Sequence, residues 1–321
     1  MGVTKLLNTY YHFNDEYKNL LSYKKILVGY SGGLDSTVLL HSLHSFLKNK
    51  DIKLKAIHIN HQLDFNSDKW QRSCEVFCDK LNIDLICHKI NLNKRNLENA
   101  ARNKRYKYFL NELIKFDDNT NTSILVLGHH ANDQAETLLM RLLRGSGTKG
   151  GTSIPKKRQL SNQDFYLYRP LLSSSKSDLY NYTSQNNLDY IDDPSNQDIS
   201  YDRNYIRSKI IPLISDRWPG YIKIFERFID NRCIDLELLH DLAKIDLDNL
   251  DPKKTLYGNS LLLTPLKSLT KARRLNVINY WLSAEVNLSP SKLQLKNIEL
   301  LIDSKSESFE LFISCYRFNK Y

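Results

Sequence analysis

K-I-L-V-G-Y-S-G-G-L-D-S, residues 25–36, is the stretch on which the fold turns. Lys25 to Ser31 reads as a short buried strand. Residues 36–47 then place Leu39, Leu40, Leu43, Phe46 and Leu47 at helical spacing. Between strand and helix, Gly32 and Gly33 let the backbone turn tightly and come close to an anion. The amides that open the helix, starting at Leu34, point at that anion, and the helix dipole assists. Ser31 and Ser36 can add hydroxyl donors. Asp35 would repel a phosphate unless a magnesium ion lay between them. The competing reading is a Gly-Gly turn with an Asp or Ser helix cap. Neither G-x-x-x-x-G-K-S/T nor G-x-G-x-x-G occurs here.

Outward from this loop the alternation continues. Residues 54–59 read as a strand, 67–82 as a helix, 84–90 as a strand and 96–115 as a long helix. A further apolar strand at 123–128 leads into a helix at 132–144. Strands and helices alternating at these lengths predict an α/β fold, a parallel sheet with helices on both faces. Such sheets bind ligands at the carboxyl ends of their strands. Residues 145–162, with Gly145, Gly147, Gly150, Gly151 and Pro155, are expected to form a mobile loop. Short strands and helices resume over 165–215. After Trp218-Pro219-Gly220 the chain reads as mainly helical, with a strand at 309–316, so a domain boundary is expected near residue 217.

The chain has 321 residues, enough for two unequal domains. A hydrophobic content of 41% supports a sizeable core, and a formal net charge of +10 favours a polyanionic partner, nucleic acid being the commonest. Biased composition with accumulated Lys is the bland account of the same charge. The five cysteines, Cys74, Cys78, Cys87, Cys233 and Cys315, include no C-x-x-C pair and read as reduced thiols of a cytoplasmic protein. No secretory signal is expected. No apolar run approaches the ~18 residues of a membrane span.

Several further blocks carry chemistry. H-I-N-H, His58 to His61, follows the second strand at the ligand edge. L-E-N-A-A-R-N-K-R-Y, 97–106, sets Glu98, Arg102, Arg105 and Tyr106 within about one helical face, either a solvated Glu–Arg face or arginines aimed at phosphate or RNA. G-H-H-A-N-D-Q-A-E-T, 128–137, puts Asp133 and Glu136 on one face of a first helical turn, beside His129 and His130. Two carboxylates there can hold a metal or an organic cation. Helix capping explains the acids but not the histidines. R-G-S-G begins at Arg144, and residues 141–160 carry six basic side chains and no acid, a composition suited to a polyanion. Y-R-P-L-L (168–172), D-D-P-S-N (192–196) and Y-D-R-N-Y-I-R (201–207) follow; in the last, Asp202 can cap a helix bearing Arg203 and Arg207 one turn apart.

The Ser31–Ser36 loop resembles the pyrophosphate loop of the ATP pyrophosphatase group, and the blocks in this order and spacing resemble the tRNA(Ile)-lysidine synthase family over residues 25–215. The likeness continues more weakly through R-W-P (217–219), A-R-R (272–274) and P-S (290–291). Asn132 stands where that family often has Asp. Longer members continue past the position of Tyr321, so this is either a short form or a truncated one. The resemblance implies an adenine nucleotide alpha hydrolase-like catalytic domain at 1–216 and a helical tRNA-binding domain at 217–321. It implies ATP, Mg2+, free lysine and a tRNA(Ile) with a CAU anticodon as cofactors and partners, and it allows a homodimer. The activity it implies is ligation of lysine to the wobble cytidine through an adenylated intermediate, which changes codon reading from AUG to AUA.

By the same resemblance, Ser31, Gly32, Gly33, Leu34, Ser36 and His58 would hold the nucleotide, with Asp35 on magnesium. Asp133 and Glu136 would receive the lysine's cationic groups. Arg102, Arg105, Arg144, Arg203, Asn204 and Arg207 would meet phosphate or tRNA, and His129 would lie at the reacting centre. The rivals are a tRNA thiolation enzyme, which Cys74 and Cys78 suit badly, and an inactive RNA-binding protein, which leaves Asp35, Asp133 and Glu136 unexplained.

Overall fold

The computed structural model describes residues 13–62, 64–90, 97–118, 120–161, 164–255, 258–286, 290–304, 310–313 and 316–319. Apolar runs of strand and helix length become, in chain order, β1 (Lys25–Gly29), α1 (Leu34–Leu47), β2 (Lys53–Asn60), α2 (Ser67–Lys80), β3 (Asp84–Lys89), α3 (Leu97–Asp117), β4 (Ser123–Val126) and α4 (Ala131–Leu143). There follow α5 (Thr148–Gly151), β5 (Lys157–Gln159), β6 (Tyr166–Tyr168), α6 (Lys176–Gln185), α7 (Asp202–Tyr205), a π-helical turn Ile206–Ile210 and α8 (Ile211–Arg217).

The strands form a six-stranded sheet in the order β3-β2-β1-β4-β6-β5, parallel except for β5. Side chains alternate across it as the pleat requires. Ile26 and Val28 of β1 and Ile124 and Val126 of β4 pack with α1 residues Val38, Leu39 and Leu43. Leu27 and Leu125 face the other way, onto Phe109 and Leu113 of α3. The chain leaves β1 toward β2 on one side and returns to pair β4 on the other. This reversal opens a crevice at the carboxyl ends of β1 and β4.

The stretch 145–162 is not the loose loop that its glycines suggest. Lys157, Arg158 and Gln159 pair antiparallel with Tyr168, Leu167 and Tyr166. Arg141 donates to the carbonyls of Gly150 and Ser153 at 3.3 and 2.6 Å. The Gln134 amide bonds the backbone of Ile154 in both directions, at 2.9 and 2.7 Å. A second correction concerns Arg203 and Arg207. They do not ride one regular helix, because α7 widens into the π turn just before Pro212. Tyr201, not Asp202, takes the cap position.

The chain divides into two compact units, Met1–Ile229 and Asp230–Tyr321, the division falling inside α9 (Tyr221–Asp248). The second unit holds β7 (Lys253–Thr255), β8 (Gly258–Ser260), α10 (Leu263–Ser268), α11 (Lys271–Val286), α12 (Lys292–Asp303), β9 (Glu310–Ile313) and β10 (Tyr316–Asn319). Its core gathers Leu250, Val277, Ile278, Leu282, Ile298 and Ile313. Within A-R-R, Arg273 meets the buried Asp246, and Arg274 meets Asp303 at 2.9 Å. None of the described helices is long and apolar enough to cross a membrane.

Gly128 couples β4 to α1. A Cβ at Gly128 would lie 2.9 Å from the Asp35 carbonyl oxygen and 3.3 Å from the Ser36 nitrogen, backbone atoms that cannot swing aside. Gly128→Ala is therefore expected to destabilise the protein by about 1–3 kcal/mol, as overpacking does, despite the usual entropic gain from replacing Gly. Urea midpoints check this, and an unchanged or raised midpoint would show the strand end has room to spare.

Candidate active site

The loop after β1 is held open by its own hydroxyls. Gly32 has φ +83°, and a Cβ there would strike Ile191 and Cys74 at 2.4 and 2.8 Å, so glycine is required. The Ser31 amide donates to Ser36 Oγ at 3.2 Å, and Ser36 Oγ donates to the Gly33 carbonyl at 3.1 Å. The cap position of α1 is Gly33, with no side-chain cap, which leaves the first amides of a 14-residue helix to an outside acceptor. The loop's far side is fixed by the Ile191 amide on the Gly32 carbonyl at 2.9 Å, which draws D-D-P-S-N alongside.

A cleft of about 580 Å³ opens over this loop. Ser31, Gly33, Leu34, Asp35 and Ser36 line it, with Arg105, His129, Asp133, Arg203, Asn204 and Arg207. Ile57, Ile59, Leu127 and Trp70 supply apolar wall. Lys176, Tyr190, Asp192 and Asp193 also line it; the two aspartates belong to D-D-P-S-N, whereas nothing in the sequence marks Lys176 or Tyr190. Of H-I-N-H, His61 reaches the wall, while His58 is buried with Nδ1 3.0 Å from the Tyr30 carbonyl. Arg102 stands outside, its guanidinium 5.4 Å from the Tyr106 ring centre. Arg144 is exposed and pairs with Asp202 at 2.9 Å. Asn204 donates to the Ser195 and Asp198 carbonyls, bracing the wall. Glu98's side chain lies outside the described residues.

Asp35 Oδ1 is buried and accepts no hydrogen bond; His130 Nε2 lies 3.5 Å away. Burial, with the charge of Asp133, raises the carboxyl above its ordinary range, against the pull of His130, Lys176 and Arg207. A carboxylate oxygen without a donor, beside an anion-binding loop, fits a cation.

Asp133 and Glu136 are 6% and 2% exposed, and both are already paired. Asp133 takes the His130 amide at 2.9 Å and Arg203 Nη2 at 2.6 Å. Glu136 takes Arg203 Nε at 2.8 Å and a forked pair from Arg207 at 2.6 and 2.9 Å. Burial would raise Asp133, but His130, Arg203, His129 and the His130 amide outweigh it and hold the carboxyl well below its usual range. Arg207 is raised, its bond to Glu136 overcoming the effect of burial. Asn132, at the head of the same helix, accepts from the Lys176 amide and donates to the Tyr221 hydroxyl.

A second set of cations borders the cleft without carboxylate partners among the described residues. Arg105 is half-buried, with its Nε buried and unbonded, and burial lowers its pKa. Arg158 sits 4.8 Å from the Tyr106 ring centre, opposite in role to an ion pair. Arg169, 2% exposed, donates from Nε to His129 Nδ1 at 3.2 Å and from Nη1 to the Pro155 carbonyl at 2.6 Å. Arg169 belongs to Y-R-P-L-L, and nothing in that block marks it for the site.

The family model that matches residues 6–214 is the PP-loop domain. This chain belongs to the PP-loop family. Among curated relatives, the tRNA(Ile)-lysidine synthase of Nitrosomonas europaea is 36% identical over 278 residues, covering 85% of this chain and 58% of the relative. That of Legionella pneumophila (strain Lens) is 39% identical over 296 residues, covering 90% and 64%. The PP-loop chain thus spans about six-tenths of the length of these relatives. The U34-tRNA thiolase NcsA from Methanococcus maripaludis, solved with its 4Fe-4S cluster, shares the fold, with a TM-score of 0.56 at 19% identity over 70% of this chain and 78% of that one. In this PP-loop protein Cys74 and Cys78 are buried, and burial pushes both thiols up to about 12.

The acid pairing sets an expectation for pH. Asp133's folded-state pKa is depressed, so its contribution to stability is present above the unfolded value of about 3.9 and is lost as pH falls through the folded value. Asp133→Asn should be less stable at neutral pH, and its stability should fall less steeply than the wild type's below about pH 4. Urea midpoints across that range test this; parallel curves would show that Asp133 is not held by these charges.

Proposed function

We propose that this protein joins free lysine to the wobble cytidine of a tRNA(Ile) with a CAU anticodon, using ATP and releasing AMP and pyrophosphate. The observation that carries the reading is one cleft in which an uncapped loop with free helix amides faces Asp133, Arg203 and Arg207, with Glu136 buried behind them and bonded to both arginines. The names of the relatives agree with it.

In the first step the cytidine carbonyl oxygen attacks the α-phosphorus, and pyrophosphate leaves into the Ser31–Ser36 loop. The loop amides, Ser31, Ser36 and Lys176 receive its charge. Asp35, with its donor-free oxygen, would hold Mg2+ together with phosphate oxygens, and the ion would neutralise charge on the leaving group. The apolar wall of Ile57, Ile59 and Leu127 suits an adenine ring. In the second step the lysine side-chain ammonium gives up a proton to solvent, the resulting amine bonds to the activated ring carbon, the bond from that carbon to the adenylate oxygen breaks, and AMP leaves with the electron pair. A free amino acid carries an ammonium and a carboxylate. Asp133 and Glu136 offer acceptors for the first, and Arg203 and Arg207 offer donors for the second. The intramolecular pairs would open to admit it.

The tRNA backbone would run over Arg102, Arg105 and Arg158 on the neighbouring edge, arginines that meet no carboxylate among the described residues. Lys156 contributes less than its sequence context suggests, because it is paired with Glu16 at 2.7 Å.

Labelled lysine, ATP and the isoleucine tRNA transcript test the whole reading, with label appearing in tRNA as the expected outcome. Label that stays free while sulfur is incorporated would favour a thiolating enzyme instead. Asp35→Ala should abolish pyrophosphate release with the fold retained. Glu136→Gln should let adenylated tRNA accumulate and raise the lysine requirement about tenfold to a hundredfold, the loss of one charge-assisted bond. Failure of adenylation in that variant, unrelieved by lysine, would point to a second metal at these acids. For the double substitution Arg102→Gln, Arg158→Gln, the slope of tRNA affinity against salt should fall by about two units; an unchanged slope would mark these arginines as solvated surface.

A further inference from the structure

The hydrogen bond from Arg169 to His129 constrains the imidazole chemically. A guanidinium carries donors only. Its Nε–H, 3.2 Å from His129 Nδ1, therefore requires a lone pair on that nitrogen. A neutral imidazole with a free Nδ1 carries its proton on Nε2. Arg169 is not free to adjust, being buried, anchored from Nη1 to the Pro155 carbonyl, and tied through its own amide to the Lys156 carbonyl at 2.9 Å. His129 lines the cleft, and no bond to its Nε2 is formed among the described residues.

We propose that Arg169 is a positioning residue that locks His129 in the neutral tautomer protonated on Nε2, so that His129 meets the adenylation step as a hydrogen-bond donor to negative charge and not as a proton acceptor. The assignment of a step rests on the function proposed above; the tautomer does not. The charges around the ring are Asp133 on α4, Arg105 on α3, Arg203 on α7 and Arg169 after β6. Burial is the main influence against a second proton and pushes the imidazole down to about 3; Asp133 favours the proton, and Arg169, Arg203 and Arg105 oppose it.

This fits the chemistry of the first step. The attacking cytidine oxygen is a carbonyl and bears no hydrogen. A bond forms from it to the α-phosphorus, the bond to the bridging oxygen breaks, and pyrophosphate takes the electron pair. No proton leaves the nucleophile, so a base at His129 would have nothing to accept. What grows in this step is negative charge on phosphoryl and leaving oxygens, which a fixed N–H stabilises without reorganising.

Nitrogen-15 NMR of the histidine-labelled full chain tests the tautomer directly, with His129 assigned by its absence in His129→Gln. The expected result is a single neutral form, protonated at Nε2 and unchanged between about pH 5 and 8. A proton on Nδ1, or titration within that range, would overturn the proposal. The function is tested by paired substitutions. The Gln amide nitrogen falls where Nε2 lies, and that of Asn where Nδ1 lies. His129→Gln should keep most pyrophosphate release at saturating ATP, and His129→Asn should lose about a hundredfold in kcat. Equal activity in the two would remove the donor role. Arg169→Met should give His129 mixed tautomers and a new acid limb in the pH–rate profile, while Arg169→Lys, which keeps a donor, restores part of the single form. Should Arg169→Met fail to fold, the wild-type spectrum and the Gln–Asn pair still decide. If the wild type releases no pyrophosphate with tRNA, the functional reading fails while the tautomer stands or falls on its spectrum.

Discussion

Two buried carboxylates facing two guanidiniums hold this site together. Asp133 and Glu136 lie on the first turns of α4, and their partners Arg203 and Arg207 arrive 67 to 71 residues later in the chain. A buried carboxylate left alone costs several kcal/mol. The pairing therefore decides where the segment of α7, the π turn and α8 must rest. It seats that segment against α4, opposite the loop after β1, and gives the cleft its second wall. The acids' own helix is meanwhile fixed to the loop's helix by Gly128, where strand and backbone meet without an intervening side chain. Loop, acids and arginines are thus parts of one mechanical arrangement.

The charge of the molecule divides in a way that the net value hides. Within the cleft, Arg203 and Arg207 are used by acids. Along α3 and the β5 edge, Arg102, Arg105 and Arg158 have no carboxylate partner among the described residues and gather instead around Tyr106. Burial would raise the Tyr106 phenol, yet Arg169, Arg102, Arg158 and Arg105 together draw it below its ordinary value. A field that perturbs a phenol in this way acts equally on any phosphate nearby. The formal +10 points to a polyanion, and Arg102, Arg105 and Arg158 are one part of the charge that no carboxylate matches among the described residues.

The α/β reading was legible because parallel strands buried on both faces are continuous apolar runs, and S-I-L-V at β4 is unmistakable in that sense. The turn between β1 and α1 was legible for a related reason, since Gly-Gly between a strand and a helix marks a tight turn, and Gly32 there takes a positive φ. What escaped is short or non-local. β5 is three residues, Lys157–Gln159, all exposed and two of them basic, so nothing in its pattern separates an edge strand from a loop. The π turn depends on how Pro212 sits against the preceding helix. Arg169 is a fully buried arginine inside Y-R-P-L-L, and a sequence gives no sign that a guanidinium will point inward at a histidine 40 residues away. The pairing of Asp133 and Glu136 with Arg203 and Arg207 had every member named beforehand, but not the fact that they were each other's partners. Spacing along a helix shows which residues share a face, whereas partnership across the fold depends on tertiary placement.

Asp35 shows the opposite side of this economy of charge. Asp133 and Glu136 are satisfied by protein donors, and the acidic shift of Asp133 records that stabilisation. Asp35 has a buried oxygen with no donor, and burial together with its neighbour Asp133 shifts it the other way. A fold optimised for stability alone would place a donor there or remove the acid. Satisfying it internally would also remove a carboxylate oxygen that stands beside the loop after β1 without a hydrogen bond. The two kinds of acid are therefore set differently: Asp133 and Glu136 are neutralised by arginines to build the wall, whereas Asp35 is left with an unsatisfied oxygen, as the proposed binding of a cation with the nucleotide would require of it.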